Sequence, residues 1–355
     1  MSSSPARAVS TDLIADRRTE FAALLRGELD QPFLTSAWQH PVGDEYDPER
    51  FAAATIGFNR RWDWDWVKIN PRAVYYAEAW GSVFDPHDYH GVVPRLVSPA
   101  IGTFADLDTI TPLDVATNPV LAEHLASARL IRQEFGDRAV LQTLFSPLSV
   151  LLQLAGLPVY RGVPVPGATT PFTADDLLRA KPDGVRVALA AIAQTFADYV
   201  RALLAPIEDG GAGLDGIFYA VTGTASAGYF DEATFAEFSR PFDLQVLGAA
   251  AGAPVVLHSC GPNANPEWFT SYPISALHWD QFLPGNPALN AQLGVTAVGG
   301  VNNTLFAEGA DHAQVSAQLA ATLAAAPSAP FLLAPSCTIP TPADPESLRL
   351  LRDAG

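Results

Sequence analysis

The sequence predicts an α/β protein: a single (β/α)8 TIM barrel over residues 31–355, preceded by an N-terminal extension, a leader and helix within residues 1–30. Three observations carry this expectation. Eight short apolar or β-branched runs are flanked by turn residues, and segments with helical spacing separate most of them. The chain has 355 residues, 48% of them hydrophobic and 17% charged, enough to bury one large core.

The elements follow in order. "PFLTSAW" (32–38) is the first strand, a helical segment spans 48–62, and "DWVKIN" (65–70) is the second strand, with β-branched Val67 and Ile69. The connection 77–114, rich in Pro, Gly and aromatics, is expected to cover the mouth of the barrel. A helix over 117–135 leads to "AVLQTLFS" (139–146), and an alanine-rich helix over 186–207 leads to "GIFYAVTG" (216–223). A helix over 231–251 precedes "APVVLHSC" (253–260); "ISALHWD" (274–280) and "TAVGGVN" (296–302) follow. A helix over 310–326, "APFLLAPSC" (329–337) and a helix over 345–353 end the pattern. A barrel of this kind takes ~250 residues, so about a hundred are left for the leader and the long connection. Gly211, Gly213 and Gly216 have the spacing of a dinucleotide fingerprint, but they lead into a strand rather than out of one, the reverse of what that motif needs.

Composition narrows the partners. A net charge of −17 and the lack of a basic cluster argue against nucleic acid and against an anionic membrane surface. The start "MSSSPARAVSTDL" has no apolar stretch of the secretory type, and the longest uncharged stretch, 244–266, is broken by Pro and Gly; a cytoplasmic protein is expected. In a reducing compartment the two cysteines read as thiols or metal ligands rather than a disulfide.

Both cysteines fall at the ends of predicted strands. His258 and Cys260 are two apart, hence on one face at the end of the fifth strand, and Cys337 ends the eighth. In a barrel the C-terminal strand ends ring the active-site mouth, so residues far apart in sequence converge there. Singly, each is an ordinary buried residue. Jointly, one imidazole and two thiolates form a donor set suited to zinc, and a count of three leaves a coordination position for a substrate or water. Asp280, at the end of the sixth strand, is a candidate fourth ligand or general base. Zinc here would deprotonate an incoming thiol and hold it as a nucleophile.

At these residues the sequence resembles the uroporphyrinogen decarboxylase superfamily, through "TSAWQHPVGDEYDPERFAAATIGFNRRWDWDWVKINP", "FGDRAVLQTLFSPLSVLLQLAG", "EFSRPFDLQVLGAAAGAPVVLHSCG", "ALHWDQF", "VGGVNNTLF" and "LLAPSCTIPTPADPESLRLL". The resemblance implies a (β/α)8 barrel. Its zinc-dependent branch, similar to the methyl-corrinoid:coenzyme M methyltransferases, carries His-x-Cys with a distant Cys, a pattern occupied by His258, Cys260 and Cys337. True decarboxylases carry Arg-Gln-Ala-Gly-Arg-Tyr near the N-terminus. Here the first strand runs into "SAWQHPVGDEY", which lacks the guanidinium forks that a polycarboxylate needs. The methyltransferase likeness also implies a corrinoid, and since the chain has no Asp-x-His-x-x-Gly segment to bind one, either a partner protein carries it or the methyl donor is something else.

Other polar residues are expected at the mouth: His40 as a catalytic candidate in the loop after the first strand, and Lys68, Asn70, Gln142, Tyr219 and Asn302 as substrate-binding candidates at strand ends. Gly299 and Gly300 are expected to let the backbone approach a ligand. The run "RRWDWDW" reads as packing rather than a stacking surface. The function these residues predict is a zinc-dependent methyl or alkyl transferase acting on a small molecule such as a thiol. The rivals are a carboxy-lyase acting on a tetrapyrrole or other carboxylate, which needs Arg72 or Arg95 to face inward, and a non-catalytic barrel that holds a corrinoid or metal, which needs a closed four-ligand site. The oligomeric state is open.

Overall fold

The computed structural model describes residues 16–354. Eight parallel strands form one curled sheet: β1 (Phe33–Thr35), β2 (Val67–Ile69), β5 (Val140–Phe145), β6 (Gly216–Thr222), β7 (Val255–Ser259), β8 (Ala276–Trp279), β9 (Thr296–Val301) and β10 (Phe331–Pro335), in the order β1-β10-β9-β8-β7-β6-β5-β2. All eight fall inside the strands expected from sequence. The edge strands β1 and β2 approach through the Asp65 N–H donating to Thr35 O at 3.0 Å and the Ser36 hydroxyl donating to Trp66 O at 2.8 Å, without a ladder between them. The result is a barrel-like α/β fold. Two further strands, β3 (Val83–His90) and β4 (Val93–Ser98), form an antiparallel hairpin within the long connection, beyond the eight strands the sequence predicts.

The helices are α1 (Arg17–Leu25), α2 (Pro48–Trp62), α3 (Tyr75–Ala79), α4 (Pro119–Glu134), α5 (Pro147–Leu154), α6 (Ala174–Ala180), α7 (Pro182–Leu204), α8 (Glu232–Phe238), α9 (Arg240–Gly248), α10 (His312–Ala324) and α11 (Pro345–Arg352). Several begin with a capping side chain followed by proline, as at Asp47-Pro48, Asn118-Pro119, Ser146-Pro147 and Asp344-Pro345. The side chain satisfies a free N–H of the first turn, and proline has none to leave unpaired. The single helix expected over 231–251 is two, because Pro241 starts a new one. No helix joins β7 to β8 or β8 to β9; only a 3-10 turn, Pro266–Phe269, lies in the first of these connections.

Two cores result. One lies between the sheet and the helices. The other fills the inside of the curl with Leu34, Leu141, Phe218, Val256, Val298 and Leu332, and is closed at the N-terminal end by Phe21 and Leu24 of α1. The Phe21 ring stands 5.6 Å from that of Trp66. The expected leader is thus in part a plug, and residues 1–15 lie outside the described residues. Trp64 and Trp66 are fully buried, as a packing role requires. Between them and α2, Asp63 adopts left-handed backbone and accepts from Arg17 at 2.6 Å and Arg138 at 3.1 Å, contacts that hold its carboxyl below the usual range. By length and composition α7 could cross a membrane, but most of it is buried inside the protein as part of the helix layer.

Candidate functional site

A cavity of about 590 Å³ opens at the C-terminal ends of the strands, a size suited to a small molecule. Trp38, Lys68, Phe218, His258 and His278 line it from the sheet side, together with Cys260 and Cys337. Gly91–Val93, at the tip of the hairpin, and the segment 157–166 contribute from above. These two covers are stitched together by the Leu96 N–H donating to Pro166 O at 2.8 Å. The close approach needs glycine at 167, which has φ +80 and where a Cβ would stand 2.3 Å from Leu96 O.

Parallel register explains what reaches the cavity. His258 on β7 pairs with Ala220 on β6 and His278 on β8, so all three share the inner face. Cys260 lies just past β7, its N–H donating to Thr222 O at 2.9 Å, and Cys337 lies two residues past β10. The donor atoms of His258, Cys260 and Cys337 all lie within 4.8 Å of one another. The two sulfurs are 3.9 Å apart, and Cys337 Sγ is 3.9 Å from His258 Nε2. Around a tetrahedral zinc with metal–sulfur distances of ~2.3 Å and metal–nitrogen distances of ~2.0 Å, such pairs stand ~3.5–3.8 Å apart. Two of the three donor pairs come within a few tenths of an ångström of this spacing, and the three residues could hold a zinc ion.

The tautomer fits too. His258 Nδ1 is 3.3 Å from the carbonyl oxygen of His278, which can only accept, so Nδ1 carries the proton and Nε2 offers its lone pair towards the thiols. His278 donates from Nε2 to Pro335 O at 3.0 Å, and burial, reinforced by His258, keeps it neutral. Between the sulfurs one thiol hydrogen bond is shared: that bond from Cys260 pulls the Cys337 thiol down, while Cys260 itself is pushed up.

The other expected site residues divide. His40, Lys68 and Asn70 line the cavity. Lys68 is buried, donates to Asn70 Oδ1 at 2.6 Å, and stands 4.4 Å from the Phe218 ring centre and 5.0 Å from that of Trp38. Burial lowers its ammonium to about 7, against an opposing pull from Cys337. Asp280 is buried, but one oxygen accepts from the Phe282 N–H at 3.0 Å, and it belongs neither to the cavity lining nor to the cluster of three donors. Burial raises its carboxyl.

Gln142, Tyr219 and Asn302 are corrections, since none lines the cavity. Gln142 is on the opposite face of β5 from Leu141 and Thr143, towards Tyr75. Tyr219 faces the helix layer and donates to Asp243 of α9 at 2.6 Å. Asn302 caps a 3-10 turn by accepting from the Thr304 N–H at 3.0 Å. Gly299 and Gly300 serve packing instead of a ligand: a Cβ at Gly300 would meet Leu333 at 2.7 Å and Thr322 of α10 at 2.9 Å. Arg72 is tied to Glu78 and Glu123, Arg95 to Asp85 and Asp88, and neither lines the cavity.

Tyr219 carries a stability prediction. Asp243 also accepts from the Ser239 hydroxyl at 2.8 Å and the Tyr272 hydroxyl at 3.2 Å, and burial raises it to about 6. Above that pH the buried carboxylate depends on these donors, so Tyr219→Phe is expected to cost ~1.5–3 kcal/mol at pH 7.5. Below pH 6 the acid is protonated and the cost shrinks. Urea unfolding at pH 7.5 and pH 5 checks this; an equal loss at both would remove the carboxylate from the explanation.

Sequence reasoning missed Trp38, Tyr160 and Phe218 on the cavity wall, and Glu45 as the partner of His40. Phe218 was findable: in a parallel sheet it shares a face with Ala220, the register partner of His258.

Fold and site together define an α/β protein with a small-molecule cavity at its strand ends and a soft-metal donor set in the wall. The chain belongs to the uroporphyrinogen decarboxylase (URO-D) family, whose sequence model matches residues 45–355. Its fold is similar to that of a methyltransferase from Methanosarcina mazei (TM-score 0.75, 17% identity, covering 96% of this chain and 98% of that one). It is similar also to a B12-independent methionine synthase from Shewanella sp. W3-18-1 in complex with selenomethionine (TM-score 0.54, 10% identity, covering 91% and 96%). At these identities the likeness is one of fold. No curated protein matches the chain.

Proposed function

We propose that the protein is a zinc-dependent methyl or alkyl transferase in which His258, Cys260 and Cys337 hold the metal and a small thiol is the acceptor. The observation that carries this reading is the convergence of three soft donors from two distant strand ends on one cavity, with the histidine in the tautomer a metal requires. The chemistry zinc supplies in such a set is removal of a thiol's proton and presentation of its sulfur as a nucleophile. The chain's residues do the rest. Trp38 and Phe218 supply apolar walls that exclude water, Lys68 gives the cavity an amine, and the hairpin with the 157–166 segment covers the bound molecule. Asp280, with one oxygen bonded to the Phe282 N–H, keeps a second oxygen and is proposed as the fourth ligand when no substrate is bound.

The carboxy-lyase reading has less support. Among the described residues no arginine lines the cavity, so a polycarboxylate would find no guanidinium from them there. The methyl group is proposed to arrive on a corrinoid carried by a partner protein. Nucleic acid and membranes are not proposed as partners of this acidic chain.

The test is to incubate the zinc-loaded protein with free methylcobalamin and 2-mercaptoethanol. Thiol-dependent demethylation of the cobalamin is expected, and it should vanish in Cys337→Ala. A zinc-loaded protein that neither demethylates the corrinoid nor binds the thiol overturns the reading.

A further inference from the structure

His40 has its partner settled on one ring nitrogen only. Its Nδ1 lies 3.0 Å from Oε1 of Glu45, a fully buried carboxylate. A carboxylate accepts, so Nδ1 carries the proton and the lone pair of the neutral ring sits on Nε2. Among the described residues no protein group bonds Nε2, nor is that atom a buried orphan, and His40 lines the same cavity as the three soft donors.

The pair is held from several directions. The other oxygen of Glu45 accepts from the Tyr89 hydroxyl at 3.3 Å, which brings in the hairpin, and the Glu45 carbonyl accepts from Arg72. The His40 carbonyl accepts from Thr341 Oγ1 at 3.0 Å, and that of Trp38 accepts from the Ile339 N–H at 3.1 Å. The segment carrying His40 is therefore laced to the one that begins at Cys337. The titratable and charged groups around it are Glu45 in its own loop, Tyr89 on the hairpin and Arg72 beyond Glu45; the cavity wall adds Lys68, Tyr76, Tyr160, His278 and the three soft donors.

We propose that His40 is the proton acceptor for the incoming nucleophile, with Glu45 and Tyr89 as positioning residues. The S–H bond of the thiol breaks, its proton passes to Nε2 of His40, and the electron pair stays on sulfur. This rests on the reading that the cavity binds a thiol at a metal held by His258, Cys260 and Cys337. A walled cavity gives the proton few ways out, and the carboxyl of Asp280 does not line it.

Two measurements test it. The zinc-loaded full chain is titrated with 2-mercaptoethanol by calorimetry near pH 7.5, in buffers of different ionisation enthalpy, to count protons passed to the buffer. The wild type is expected to release almost none, because His40 retains the proton. His40→Gln, with its zinc content verified, is expected to release close to one per thiol bound, with weaker binding. Nitrogen-15 histidine spectra of the metal-free wild type are expected to show His40 protonated at Nδ1, a signature that Glu45→Leu, which removes the acceptor, should abolish. Thiol binding with equal proton release in wild type and His40→Gln overturns the proton acceptor alone. A zinc-loaded protein that binds no thiol overturns the transferase reading and this proposal together, and an Nε2-protonated His40 overturns the proposal whatever the thiol does.

Discussion

Purified after growth with zinc, the protein is expected to carry close to one zinc per chain, and Cys337→Ala almost none. The three donor atoms within 4.8 Å of one another are the only such group of His, Cys, Asp and Glu side chains among the described residues, so no neighbouring set takes over. Losing a supporting group of a metal ligand costs ~10- to 100-fold in affinity, and losing a ligand itself costs at least that. Elemental mass spectrometry on both proteins reads the result. Tyr219→Phe is the control, since its side chain faces α9 and should leave the metal content unchanged. Equal zinc in wild type and Cys337→Ala would remove Cys337 from the site.

The second large effect concerns Lys68. No carboxylate lies within salt-bridge distance of its amine among the described residues, and burial lowers it from 10.5 to about 7. Above pH 10.5 neither folded nor unfolded chain holds the proton, and no penalty exists. As pH falls the unfolded chain takes up a proton that the folded chain refuses, so stability declines until about pH 7 and then levels. Each unit is worth about 1.36 kcal/mol, which sets the full penalty on the order of 4–5 kcal/mol. Lys68→Met keeps the apolar stem and removes the penalty. It is expected to be more stable than wild type by ~2–5 kcal/mol at pH 6.5, with the difference fading as pH approaches 10. Guanidinium unfolding of the metal-free proteins at pH 6.5, 8.5 and 10 measures it, and a difference independent of pH would show that the ammonium is not the cause.

The strands were legible because each is a short apolar run between turn residues, and the donor cluster because its residue types are rare in this chain and fall at strand ends. What failed was the choice of face. In β5 and β6 both faces are buried, one against the inner core and one against the helices, so a polar residue such as Gln142 or Tyr219 does not reveal which way it points. Periodicity alone carries no phase there. His258 provides it, and counting from its register partner Ala220 puts Phe218 inside and Tyr219 outside. The hairpin escaped because Pro86 and a register shift break the alternation that marks a strand. The Glu45 partnership escaped because four loop residues separate it from His40, and no periodic rule joins loop side chains.

The plug made by Phe21 and Leu24 has a consequence for traffic. With that end of the curl filled, the roofed end is left as entrance and exit alike, and the hairpin and the 157–166 segment guard it as one unit because Leu96 is bonded to Pro166. Any two molecules that meet in this cavity share one doorway, and the one bound deeper enters first and leaves last.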